Sequence, residues 1–158
     1  MNRTNYTLVS EVRGNTYRRL LDYALGECSK ALLVIRPSLR QELSVSEALQ
    51  ELEPYLADTQ VTSEWPGAIL YGEKATVRRY RYELGSAAIF KRLGEGLYDW
   101  EQPKLPEDLC LLREDEVPWL ISIAHEKDSY LYLSDEERAK LAAALPEVDA
   151  ILKRDEAE

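Results

Sequence analysis

Residues 108–133 read DLCLLREDEVPWLISIAHEKDSYLYL, and this stretch decides the fold. Three apolar segments, Asp108 to Arg113, Trp119 to Ala124 and Ser129 to Leu133, are divided by the charged turns Glu114-Asp115-Glu116 and His125-Glu126-Lys127-Asp128. Short apolar runs between charged turns read as β-strands, and three in succession predict a meander. A middle strand of about 6–8 residues at about 3.3 Å each puts the two turns on the order of 20 Å apart. They therefore belong to opposite ends of the sheet. Centring the first turn on Asp115 pairs Leu111 with Trp119 and Leu109 with Ile121. That register puts Leu109, Leu111, Trp119, Ile121, Ile123 and His125 on one face. Cys110, Leu112, Leu120, Ser122 and Ala124 take the other, so Cys110 points away from His125.

Upstream, Ala31-Leu32-Leu33-Val34-Ile35, closed by Arg36-Pro37, is an unbroken apolar run and predicts a central strand covered on both faces. Before it, Tyr17, Leu20, Leu21, Ala24, Leu25 and Cys28 form a helical stripe, with Asn15 as the expected N-cap. After it, Ser44 and Glu47 have capping-box spacing ahead of Val45, Ala48, Leu49 and Leu52, and Pro54 ends that helix. Ala68–Tyr71 and Ala75–Leu84 read as strands joined by a tight hairpin at Gly72-Glu73. Ser86–Leu93 fits a helix or a strand equally well. Downstream of the meander, Ser134 and Glu137 open another helix, and Pro146 starts a short final one. Residues 1–5 and 153–158 are expected to fray. The reading is one α+β domain over 1–158: a mixed or antiparallel sheet ending in a three-stranded meander, flanked by helices at the N-terminus, middle and C-terminus.

The 158 residues carry a net charge of −9, unevenly distributed. Residues 1–94 hold 13 basic and 11 acidic side chains, or +2, while residues 95–158 hold 7 and 18, or −11. The acid excess thus belongs to the meander and the helices after it. No apolar run reaches the roughly 20 residues of a membrane span, and the first residues lack a signal-peptide core. Two Cys, each among apolar neighbours, read as buried thiols in a reducing compartment. A cytoplasmic protein is expected. Arg78-Arg79-Tyr80-Arg81-Tyr82 suggests nucleic acid, but the net negative charge argues against a polyanionic partner. These Arg read instead as edge-strand charges, paired with acids from the last third.

The connectivity of a meander gathers acids at both of its ends. One end brings Glu107 and Asp108 toward His125, Glu126 and Asp128; the other brings Glu114, Asp115 and Glu116 toward Asp135 and Glu136. Aromatic usage is skewed, with ten Tyr and three Trp against one Phe. Tyr keeps its hydroxyl wet at a surface groove, so Tyr98, Trp100, Tyr130 and Tyr132, which fall in the acidic half, are candidate interface anchors. No Gly-x-Ser-x-Gly, phosphate-binding loop or metal-motif spacing is present. The expected function is therefore a non-catalytic protein-binding domain of the inhibitor, immunity or regulatory-adaptor kind. It would need no cofactor and would dock on a basic protein through Tyr98, Trp100, Glu114, Asp115, Glu116, Tyr130, Tyr132, Asp135 and Glu136. The alternative is a small metal-dependent hydrolase centred on Glu107, His125, Glu126 and Asp128. A third reading is self-association through an exposed strand or aromatic patch.

Overall fold

The computed structural model describes residues 2–155. In chain order the elements are β1 (Thr4–Leu8), α1 (Gly14–Ala24), β2 (Lys30–Ile35), α2 (Leu43–Leu52), β3 (Leu56–Thr62), β4 (Glu64–Trp65), β5 (Ala68–Ile69), β6 (Ala75–Arg81), α3 (Leu84–Leu93), β7 (Glu107–Leu112), β8 (Pro118–Ile123), β9 (Asp128–Leu133), α4 (Asp135–Ala144), α5 (Pro146–Asp149) and β10 (Leu152–Arg154). Eight strands form one antiparallel sheet in the order β10-β1-β9-β8-β7-β2-β6-β3. The fold is thus α+β, with the sheet antiparallel rather than mixed.

β2 lies inside the sheet between β7 and β6, and its Ala31–Val34 are fully buried. Its alternate residues face two apolar layers. Ala31 and Leu33 join the helices, whose Tyr17, Leu20, Leu21, Ala48, Leu52, Ala87, Phe90, Leu141 and Val148 pack on that face. Leu32 and Val34 face the other way, with Val77, Cys110 and Leu112, under Trp65, Ala68 and Leu70. Covering Trp65 contributes roughly 4–6 kcal/mol of gross apolar burial before entropy is counted. No helix among the described residues is long and apolar enough to cross a membrane.

Several expectations change. Gly72-Glu73 does not close a hairpin: β5 folds back on β4, and β6 pairs with β3 and β2. The excursion over residues 63–74 leaves the sheet because Trp65 and Leu70 have an apolar layer to cover. β6 is therefore internal, and β3 is the edge. The β6 arginines pair locally rather than with the last third: Arg78 with Glu53, Arg79 with Asp58, and Arg81 with the Pro54 carbonyl. Ser86–Leu93 is helical, and Ser86 Oγ accepts the Glu83 N–H at 3.0 Å.

Neither predicted N-terminal helix cap holds. Arg13 takes the N-cap position of α1 instead of Asn15, without a side-chain capping bond, and an isolated bridge from Arg13 to Gly96 fixes the entry of the chain. Glu42 precedes α2, and the Ser44 hydroxyl donates to the Lys104 carbonyl at 2.6 Å instead of capping. Both expected frayed ends carry strands. Thr4 and Asn5 pair with Leu133 and Tyr132, and Lys153 and Arg154 pair with Thr7 and Tyr6. The rest of the predicted C-terminal tail beyond Asp155 lies outside the described residues.

The meander is present, and Leu112 pairs with Pro118 as a turn centred on Asp115 requires. The pairing shifts between Leu112 and Leu111, so Leu111 stands opposite Leu120 rather than Trp119. Pro118 has no N–H to give the ladder and sits at this irregularity. Trp119 and Leu120 therefore both pack on the helix side, while Ile121 turns to the layer under Trp65.

Candidate functional site

The two ends of the meander differ in kind. At the first, β7 turns into β8 through Glu114, Asp115 and Glu116, all exposed. β9 is antiparallel to β8 and finishes at this same end, so α4 starts beside the turn. Its N-terminus has the predicted capping box: Ser134 Oγ accepts the Glu137 N–H at 3.1 Å, and Glu137 Oε1 accepts the Ser134 N–H at 2.9 Å. Glu137 also takes Arg3 at 2.9 Å and Arg113 at 3.1 Å. Burial opposes its ionisation, but the Arg3, Ser134 and Arg113 donors outweigh that and hold its pKa down to about 2. Arg113 also donates to the Pro118 and Tyr132 carbonyls at 2.6 and 2.7 Å, locking turn to strand.

Glu116 is engaged by Lys30 at 2.6 Å. Glu114, Asp115, Asp135 and Glu136 have no ion pair among the described residues, although Arg3 and Arg113 are near. Both arginines are spent on Glu137. Asp135 and Glu136 stand in the first turn of α4, where negative charge suits the helix dipole. Tyr130 and Tyr132 alternate with the buried Leu131 and Leu133, so they face the side of the sheet that lacks helices, half-buried.

The remaining predicted anchors lie elsewhere. Trp100 is fully buried: its ring is 5.3 Å from Phe90 between centroids, and its Nε1 donates to Tyr17. It is a core residue, not a rim residue. Tyr98 is half-buried on the helix side, its hydroxyl 2.9 Å from Ser129 Oγ. It lines a cleft of about 640 Å³ between α2 and residues 98–105, with Glu47, Glu51, Asp99 and Glu101 also on its walls. Sequence reading missed this cleft, because its acids come from distant segments.

At the other end, β7 begins as β8 finishes in a 3₁₀ turn, Ala124–Glu126. The ladder between β2 and β7 is irregular here, with Leu32 opposite Cys110 and Val34 opposite Glu107. β7 therefore carries one extra residue, and Asp108 takes a left-handed φ of 57°. Neighbouring side chains of a regular strand point to opposite faces; the bulge instead brings Glu107 and Asp108 together with His125. Their donor atoms all lie within 4.8 Å of one another. Glu126 is exposed and Asp128 half-buried, and neither belongs to this group. Burial pushes both acids above the usual carboxylate range, and for Glu107 the Asp108 charge adds to it.

Cys110 lies in the layer under Trp65 and is fully buried, away from the exposed His125, so the two form no nucleophile–base pair. The chain matches no protein-family model, no curated protein and no solved structure.

Proposed function

We propose that this chain is a non-catalytic protein-binding domain, of the inhibitor, immunity or regulatory-adaptor kind. It docks a basic protein on the first end of the meander. One observation carries the reading: at the same end of the meander, Glu114 and Asp115 in the turn and Asp135 and Glu136 in the first turn of α4 stand exposed without ion pairs among the described residues, while Arg3 and Arg113, beside the turn acids, are taken by Glu137. Unpaired acids at one edge create a local negative potential, which steers a cationic partner and fixes its orientation. Tyr130 and Tyr132, on the adjoining helix-free face, supply rings with little conformational entropy to lose. Glu116 contributes as the rim of the patch, its charge shared with Lys30. The two free cysteines, both buried, support a reducing, cytoplasmic setting.

The test compares wild type with a Glu114→Lys, Asp115→Lys, Asp135→Lys, Glu136→Lys variant as bait in lysate of the native host, at low and high salt. The expected result is one basic protein retained near stoichiometry by wild type at low salt. It is released at high salt and lost with the variant, whose circular dichroism is unchanged. Equal capture by both baits, or none by wild type, overturns the reading.

A further inference from the structure

We propose that Glu107, Asp108 and His125 form a binding site for one divalent transition-metal ion of the zinc type, at the opposite end of the meander from the docking surface. Glu107 carries the argument. Its side chain is 1% exposed, its Oε1 accepts the Gln102 N–H at 3.0 Å, and its Oε2 has no hydrogen-bond partner. A buried carboxylate oxygen left bare is costly, and proteins rarely leave one without a counter-charge. This oxygen points at His125 Nδ1, 3.6 Å away. That gap is too long for a hydrogen bond. It is, however, the spacing of two ligands on one ion: tetrahedral ligands at about 2.0–2.2 Å from zinc stand about 3.3–3.6 Å apart.

The surroundings have the form of a support shell. Asp108 Oδ1 accepts the Ala124 N–H at 3.0 Å and its Oδ2 accepts Trp65 Nε1 at 3.1 Å. Each carboxylate is thus held by fixed N–H donors and still has lone pairs free, as ligating carboxylates are. The left-handed Asp108, which costs backbone energy, is what turns its carboxylate toward the other two groups. An imidazole with two carboxylates suits zinc and its neighbours better than magnesium or calcium, which prefer all-oxygen shells. Three protein ligands leave the fourth tetrahedral position for water, on the side where His125 is exposed.

The test is calorimetric titration of the full chain, freed of metal by chelator, with ZnCl2 and separately with MgCl2. Zinc is expected to bind at one equivalent and raise Tm, with magnesium weaker by about tenfold or more. His125→Ala, at an exposed position, and Glu107→Gln are each expected to weaken zinc by about tenfold or more. Cys28→Ser leaves the titration unchanged. Absence of zinc binding by wild type overturns the proposal. So does zinc affinity that both variants retain, or magnesium binding as tight as zinc. Reversing Glu114, Asp115, Asp135 and Glu136 leaves zinc binding intact, so this result and the docking result fail independently.

Discussion

Trp100 Nε1 donates to the Tyr17 hydroxyl at 2.9 Å, and that hydroxyl donates onward to the Phe90 carbonyl at 2.7 Å. Both side chains are fully buried, so the chain of bonds joins α1, α3 and the segment leading to β7 without water. Burial also raises the Tyr17 pKa, keeping the phenol neutral and able to donate. Tyr17→Phe removes the link and leaves the Trp100 indole N–H without a partner, while the Phe90 carbonyl keeps only the Gly94 N–H at 3.3 Å. The expected loss is about 1–3 kcal/mol in urea unfolding. An unchanged midpoint shows that the network is not stabilising.

Glu137 ties Arg3 and Arg113 to the start of α4. Its folded pKa, near 2, lies below the ordinary carboxylate value, so its contribution is present above the unfolded pKa and disappears as pH falls toward 2. Glu137→Gln is expected to cost on the order of 2–3 kcal/mol at neutral pH. The gap between wild type and variant closes between about pH 5 and pH 2. Chemical denaturation across that range measures it; a gap independent of pH contradicts the ion-pair account.

Gly67 holds the excursion over residues 63–74 close to the sheet. Its φ is +87°, and a Cβ there would lie 2.9 Å from Ile121 Cγ2 and 3.0 Å from Ile123 Cδ1. Gly67→Ala is both strained and crowded. It should lift Trp65 from its layer at a cost of about 1–3 kcal/mol. A red-shifted tryptophan emission with a lowered Tm reports this, and an unshifted spectrum refutes it.

Burial pushes the Cys110 thiol up to about 12 and raises Cys28 as well. Neither supplies thiolate at neutral pH, so neither reacts readily. Ellman's reagent at pH 8 is expected to find no fast-reacting thiol in the native protein and two in denaturant. A fast native reaction means that one of the two layers opens.

The meander is legible because its strands are apolar and its turns charged, and the central β2 because nothing polar interrupts Ala31–Ile35. β3 escapes sequence reading for the opposite reason. Five consecutive residues, Ala57 to Val61, are exposed, so burial leaves no alternating pattern to find. β1 and β10 are short and largely polar, and only their pairing defines them. The nearness of Glu107 and Asp108 to His125 follows from connectivity alone. That both carboxylates converge on His125 while Glu126 and Asp128 stay out does not, because it depends on a bulge and a left-handed φ that no residue pattern announces. Trp100 is misread because Asp99 and Glu101 flank it, and a buried ring between two acids looks like a surface one.

The pairing of β1 with β9 and β10 joins the earliest described strand to the latest, and Thr7 bonds Asp155 across 148 positions. A chain made from its N-terminus must therefore hold Tyr6 and Leu8, both core residues, without their strand neighbours until β9 and β10 are made. This side of the sheet closes only after β9 and β10 have been made. Until then the two core side chains of β1 lack the strands that flank it, and pairing across so many residues is slow to form.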